Sequence, residues 1–91
     1  MDWALAKSFL TVAETGSLSA AARVLGVSQP TLGRQVKELE AQLGAELFHR
    51  TPRGLTLTQT GASIVSAART MRDAAMHMET SAAEQKQSLD G

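Results

Sequence analysis

The stretch "GSLSAAARVLGVSQPTLGRQVKELE", residues 16–40, decides the fold. Ser17 is a good N-cap for "LSAAARVL", whose Leu18, Ala21, Ala22 and Leu25 form a short apolar face that ends at Gly26. Only Gly26 and Val27 separate that helix from Ser28, a second N-cap. Behind it Pro30 is tolerated in the first turn, and Leu32, Val36 and Leu39 recur at helical spacing. Two short helices joined by a glycine-containing turn of about three residues describe a helix-turn-helix. The small residues have a steric reason. Ala21 and Ala22 let the next helix cross closely, and Gly26 permits the positive φ of a tight turn.

The outer face of the second of these helices sets it apart from a generic helical hairpin. Gln29, Pro30, Gly33, Arg34 and Lys37 lie opposite the apolar stripe, at spacings that make them point outward together. A plain surface helix favours carboxylates beside its partially positive start, whereas no acid occurs from Ser28 to Lys37. An Arg can give two hydrogen bonds to guanine and a Gln two to adenine, and a cation beyond them meets phosphate. Gly33, lacking a side chain, would let the helix approach such a partner closely.

Composition bounds what the rest can be. The 91 residues make one small domain. A domain of this size buries only about 60–65% of its unfolded surface, so a partner is expected to contribute to stability. There is no Cys, and His49 and His77 are far apart without a carboxylate cluster, so neither metal nor other cofactor is expected. No spacing pairs a nucleophile with a base and no glycine loop would cradle phosphate, which argues against an enzyme. Neither a membrane span nor a signal peptide is visible, and a cytoplasmic protein is expected.

Nine cations and nine anions give a formal charge of zero, where nucleic-acid binding usually goes with a basic domain. Distribution matters more than the sum. Both Ser28–Lys37 and Phe48–Thr60 lack acids, and they carry Arg34, Lys37, Arg50 and Arg53. A fold that brings the two stretches together creates one cationic face.

Outward from the central pair, residues 3–14 place Leu5, Phe9, Val12 and Ala13 on one helical face before the stop at Thr15 and Gly16. The third helix runs to about Leu43 and stops at Gly44. In "AELFHRTPRGLTLTQTG", the segments "ELF" and "LTL" flank "HRTPRG", whose Pro52 and Gly54 predict a tight reversal. This two-stranded wing would carry Arg50 and Arg53 in its arms or tip, where an Arg can enter a narrow minor groove.

Thr58 can cap a last helix from Gln59 to about Gln87. Gly61, Ile64, Ala68, Met71, Ala75, Met78 and Ala82 recur along it at alternating spacings of three and four, the pattern of a coiled-coil seam. Such a helix is roughly 40 Å long, more than the width of a globule this size, about 30–35 Å. Most of the seam is therefore expected to pair with a second copy, with Ile64, Ala68, Met71, Ala75, Met78 and Ala82 as the dimerisation residues. The expected class is mainly α, a winged helix-turn-helix over residues 1–58 followed by a dimerisation helix over 59–91.

Residues 9–61 resemble the N-terminal DNA-binding region of the LysR-type bacterial transcriptional regulators, and the helix that follows resembles their linker helix. "GSLSAAARVLGVSQPTLGRQVKELE", "LGAELFHR" and "LTLTQTG" carry the likeness. The resemblance implies a dimer through antiparallel linker helices, bound to double-stranded DNA at an interrupted palindrome flanked by T and A. It further implies that Gln29, Pro30, Gly33 and Arg34 approach bases in the major groove, that Arg53 enters the minor groove, and that Ser28, Thr31 and Lys37 meet phosphate.

Two features depart from the family pattern. Many relatives carry Ser where this chain has Gly33, so a side-chain contact is lost and the helix is weakened by up to about 1 kcal/mol relative to Ala. Family members also continue into an effector-binding domain of two α/β lobes, whereas this chain ends at "SLDG". A fragment is therefore expected, with any small-molecule effector bound by the absent part and the intact protein a dimer or tetramer. The competing class is a helical protein–protein module that dimerises without touching DNA. Zero net charge and the seam favour it, and the acid-free helix face opposes it.

Overall fold

The computed structural model describes residues 1–90; Gly91, the last residue of the expected segment 59–91, lies outside the described residues. The elements follow one another as α1 (Trp3–Thr15), α2 (Leu18–Leu25), α3 (Gln29–Leu43), β1 (Phe48–Thr51), β2 (Gly54–Leu57) and α4 (Gln59–Asp90). This is the expected order of three helices, a two-stranded wing and a long helix.

Local signals start and stop each helix. Asp2 caps α1 by accepting from the Ala4 amide at 3.0 Å. Ser17 accepts from Ala20 N–H at 3.2 Å at the start of α2, and Ser28 accepts from Thr31 N–H at 3.2 Å at the start of α3. The turn between α2 and α3 closes at Gly26, whose φ of 68° is left-handed, and the Val27 amide returns to the Ala22 carbonyl at 3.1 Å. Thr58 serves α4 as expected: its hydroxyl accepts from Gly61 N–H at 2.9 Å while donating to the Glu46 carbonyl at 2.7 Å.

The core has two adjoining parts. Val12, Ala21, Ala22, Leu32 and Val36 fill the space between α1, α2 and α3. Leu5, Phe9, Leu10, Leu39, Leu47 and Ala68 join α1, α3 and α4. Leu32, Val36 and Leu39 are the buried residues of α3, as their spacing predicted, and Ala21 and Ala22 permit the close crossing. On α1 the buried face is wider than expected: Ala6, Ser8 and Leu10 are buried beside Leu5, Phe9 and Val12, and Ala13 is half-buried. The reason is that α1 is packed by α2, α3 and α4 together.

The wing differs in detail from the sequence expectation. Its strands pair Phe48 with Leu57, His49 with Thr56, Arg50 with Leu55 and Thr51 with Gly54, so His49 to Thr51 belong to a strand and only Pro52 and Arg53 make the reversal. Glu46 and Leu47 lie outside the strand, and Leu47 is fully buried in the core. The tip closes on Thr51, whose hydroxyl donates to the Gly54 carbonyl at 3.0 Å and accepts from Arg53 N–H at 3.3 Å. Gly54 takes a φ of 123° there, a conformation that favours glycine.

Helix α4 is longer than expected by about three residues, and the molecule measures 55 × 24 × 19 Å because of it. Its first turns belong to the globule. Ala68, an expected dimer-seam residue, is 4% exposed in the core of its own chain, and Ile64 packs against the same core. Arg72 donates to Glu14 at 2.8 Å and Arg69 lies 3.6 Å from the same carboxylate, tying α4 to the end of α1. Beyond Arg72, every residue to Leu89 is exposed or half-exposed. Among the described residues no helix is long and apolar enough to cross a membrane.

Candidate nucleic-acid interface

The first turns of α3 form an organised polar surface. The Ser28 hydroxyl donates to Thr31 Oγ1 at 2.8 Å, and Arg34 Nη2 donates to the same oxygen at 3.3 Å. Thr31 Oγ1 thus joins Ser28 and Arg34 in one exposed network at the helix start. Pro30, Arg34 and Lys37 are exposed on the side opposite buried Leu32, Val36 and Leu39, Gly33 is half-exposed at the flank of that side, and Gln29, in register with the buried stripe, is exposed at the helix start. Ser8 holds the helix from behind by donating to Gln35 Oε1 at 2.7 Å, a link between α1 and α3 that spacing alone does not suggest.

The wing stands beside this surface. A groove of about 320 Å³ has Ser17 and Ser19 of α2, Gln29 of α3, and Arg50, Arg53 and Leu55 of the wing among its lining residues. A second groove of about 300 Å³ continues between α3 and β1, where Lys37, Glu40, His49 and Arg50 line it. Leu18, Arg50 and Leu55 border both, so the two grooves adjoin between α3 and the wing. Two acid-free stretches far apart in sequence therefore share one face, and none of Arg34, Lys37, Arg50 and Arg53 is paired with a carboxylate among the described residues.

Two acids, Glu40 and Glu46, also line the second groove. Glu40 turns inward, and its Oε2 accepts from the Leu47 amide at 2.7 Å. Its carboxylate orders the loop that leads from α3 into the wing, a role missed from sequence because Leu47 is brought back only by the Gly44 turn. Among the described residues no group of His, Asp and Glu could hold a metal ion.

Of the remaining expected residues, Met71 and Ala75 are half-buried on α4, while Met78 is 73% exposed and Ala82 is exposed. Met71 and Ile64 line a wholly apolar groove of about 200 Å³ with Phe9, Leu39, Leu43 and Ala68, at the junction of α1, α3 and α4. The seam thus divides: Ala68 is used within the chain, and the residues from Ala75 onward project beyond the globule.

A close-packed helix-turn-helix with its outer helix flanked by a β-hairpin defines a winged helix-turn-helix protein. The profile of the bacterial regulatory helix-turn-helix proteins of the lysR family matches residues 3–62. The chain belongs to that family. It is 48% identical over 67 residues to the small neutral protease regulatory protein of Streptomyces coelicolor, a match that covers 74% of this chain and 21% of that protein. The structure of a CbnR DBD–DNA complex is similar with a TM-score of 0.83 and 38% identity, covering 92% of this chain and 97% of that one. The BenM DBD in its complex with catB site 1 DNA is similar with a TM-score of 0.87 and 28% identity, covering 92% and 94% of the two chains. The chain spans between a fifth and a third of the length of the curated relatives it matches.

Proposed function

We propose that this chain is the part of a transcriptional regulator that reads double-stranded DNA, with α3 in the major groove and the wing against the adjacent minor groove. The observation that carries the reading is that Gln29, Lys37, Arg50 and Arg53 border adjoining grooves between α3 and the wing, with exposed Arg34 on the same helix and none of these cations in an ion pair among the described residues. In this reading Gln29, Pro30, Gly33 and Arg34 meet base edges, Ser28, Thr31 and Lys37 meet phosphate, and Arg53 at the wing tip enters the minor groove with Arg50 behind it. No bond is made or broken. The chain acts by occupying a promoter site, and its place of action is the cytoplasm, where bacterial DNA lies.

The likeness to two protein–DNA complexes supports this reading, as does α4, which exposes Met76, Met78 and Ala82 beyond the globule. A second copy paired along that overhang would set two recognition helices at a fixed distance and select an interrupted palindrome. An apolar seam of this length left in water is unfavourable, and pairing it removes that cost.

The experiment is a fluorescence titration of the chain on a duplex enriched from a random pool, repeated over a salt series. Each phosphate contact contributes about −0.9 to the slope of log affinity against log salt. Linear dependence with a slope of several units is expected; a flat response, or no enrichment of any sequence, defeats the reading in favour of a dimerisation module that does not bind DNA.

A further inference from the structure

Gly33 sits inside α3 with no structural reason to be glycine. Every other glycine among the described residues either takes a positive φ or, at Gly61, packs against a backbone carbonyl. Gly33 has ordinary helical geometry, and a β-carbon built there meets nothing within 4 Å outside its immediate surroundings in the helix. Helix-interior glycine nonetheless costs up to about 1 kcal/mol relative to Ala. A local cost without local cause, on an exposed face, points to a use.

Its position suggests what the use is. At about 100° per residue Gly33 falls between Gln29 and Lys37 on the wheel of α3, with Pro30 and Arg34 beyond, so the exposed face carries a notch one side chain deep. Within the helix the backbone N–H and C=O of Gly33 are engaged in the hydrogen-bond ladder. The notch therefore offers no side-chain donor or acceptor, only room beside the Gly33 α-carbon. Among the base edges of the major groove, the thymine C5-methyl is the one apolar group that projects.

We propose that Gly33 is a specificity-determining position that seats a thymine methyl, one in each half-site. This rests on the DNA-binding reading above, and adds to it a preference exerted by shape rather than by hydrogen bonds. Thymine is favoured because its methyl leaves water in the notch, and a side chain at position 33 abolishes the preference by filling the same space.

The test uses the whole chain and duplexes enriched from a random pool, with each thymine of the half-site replaced in turn by deoxyuridine, which lacks only the methyl. The wild-type chain is expected to bind about fourfold more weakly when one particular thymine is replaced, the effect of one buried methyl. In Gly33→Ala that ratio falls to near unity, whereas Arg34→Ala lowers affinity but keeps the ratio. Circular dichroism verifies that both variants are folded. The proposal is overturned if no thymine replacement affects wild-type binding, or if Gly33→Ala discriminates as the wild type does. A wild-type chain that enriches no sequence overturns the DNA-binding reading itself, which is a separate result.

Discussion

The backbone of Gly61 packs against the carbonyl oxygen of Leu47, in the space a β-carbon would need. Leu47 is fully buried, and its carbonyl also accepts from the Thr58 amide at 3.0 Å, so it cannot yield without breaking the entry to α4. Gly61→Ala should therefore destabilise the chain by about 1–3 kcal/mol despite the higher helix propensity of Ala. Thermal unfolding followed at the helical band checks this: a melting temperature equal to or above that of the wild type would contradict the packing.

Gly33→Ala should do the opposite. No atom obstructs the added methyl, so the helix gains up to about 1 kcal/mol and the melting temperature rises by about 4–8 °C. The two glycines lie in helices of the same chain, and opposite shifts in the same assay would separate a packing glycine from a surface one.

Arg34→Ala should weaken binding to an enriched site by about 1–3 kcal/mol and binding to random DNA much less. Equal losses on both would mean that Arg34 meets only phosphate. Arg53→Ala should lower affinity most where A·T pairs flank the half-sites, because narrow minor grooves hold the most negative potential. Competition titrations with duplexes that differ only in their flanks measure the difference.

Glu14→Gln removes the carboxylate shared by Arg72 and Arg69. All three side chains are more than a third exposed, so solvent screens the pairs and the expected loss is below about 1 kcal/mol. Denaturant unfolding in low and high salt checks the origin: the gap between variant and wild type should close in about 1 M salt, where the screening length is near 3 Å.

Met78→Glu places a charge on the exposed part of the α4 seam, where the wild-type residue is 73% exposed. Sedimentation velocity should show self-association weakened about tenfold or more, with helical content retained. Unchanged association would move the dimer contact elsewhere, the apolar groove of Ile64 and Met71 being the next surface to alter.

Much of this was legible in the residues. Ser17, Ser28 and Thr58 announced three helix starts, because a cap is a contact between residues three apart and needs no tertiary structure. Leu32, Val36 and Leu39 identified the buried stripe of α3, and with it the outward side of Pro30 and Arg34, since the helical period ties one to the other; Gln29 shares the register of the stripe and is exposed because it stands at the helix start. The wing was legible as a hairpin but not in its register: Pro52 and Gly54 mark a reversal, whereas the length of the strands depends on how Thr51 closes the tip.

By itself, then, the sequence determined the order of elements, the helix-turn-helix and the chemistry of its exposed face, all of which follow from interactions between near neighbours. Tertiary structure decided what depends on distant ones. It set Arg50 and Arg53 beside Gln29 across one groove, turned Glu40 inward to the Leu47 amide, and drew Ala68 into the core while leaving Met78 in solvent. A heptad pattern records that a face is apolar but not what covers it. Only the path of the chain through Gly44, the wing and Thr58 determines which turns of α4 lie on their own domain and which reach beyond it.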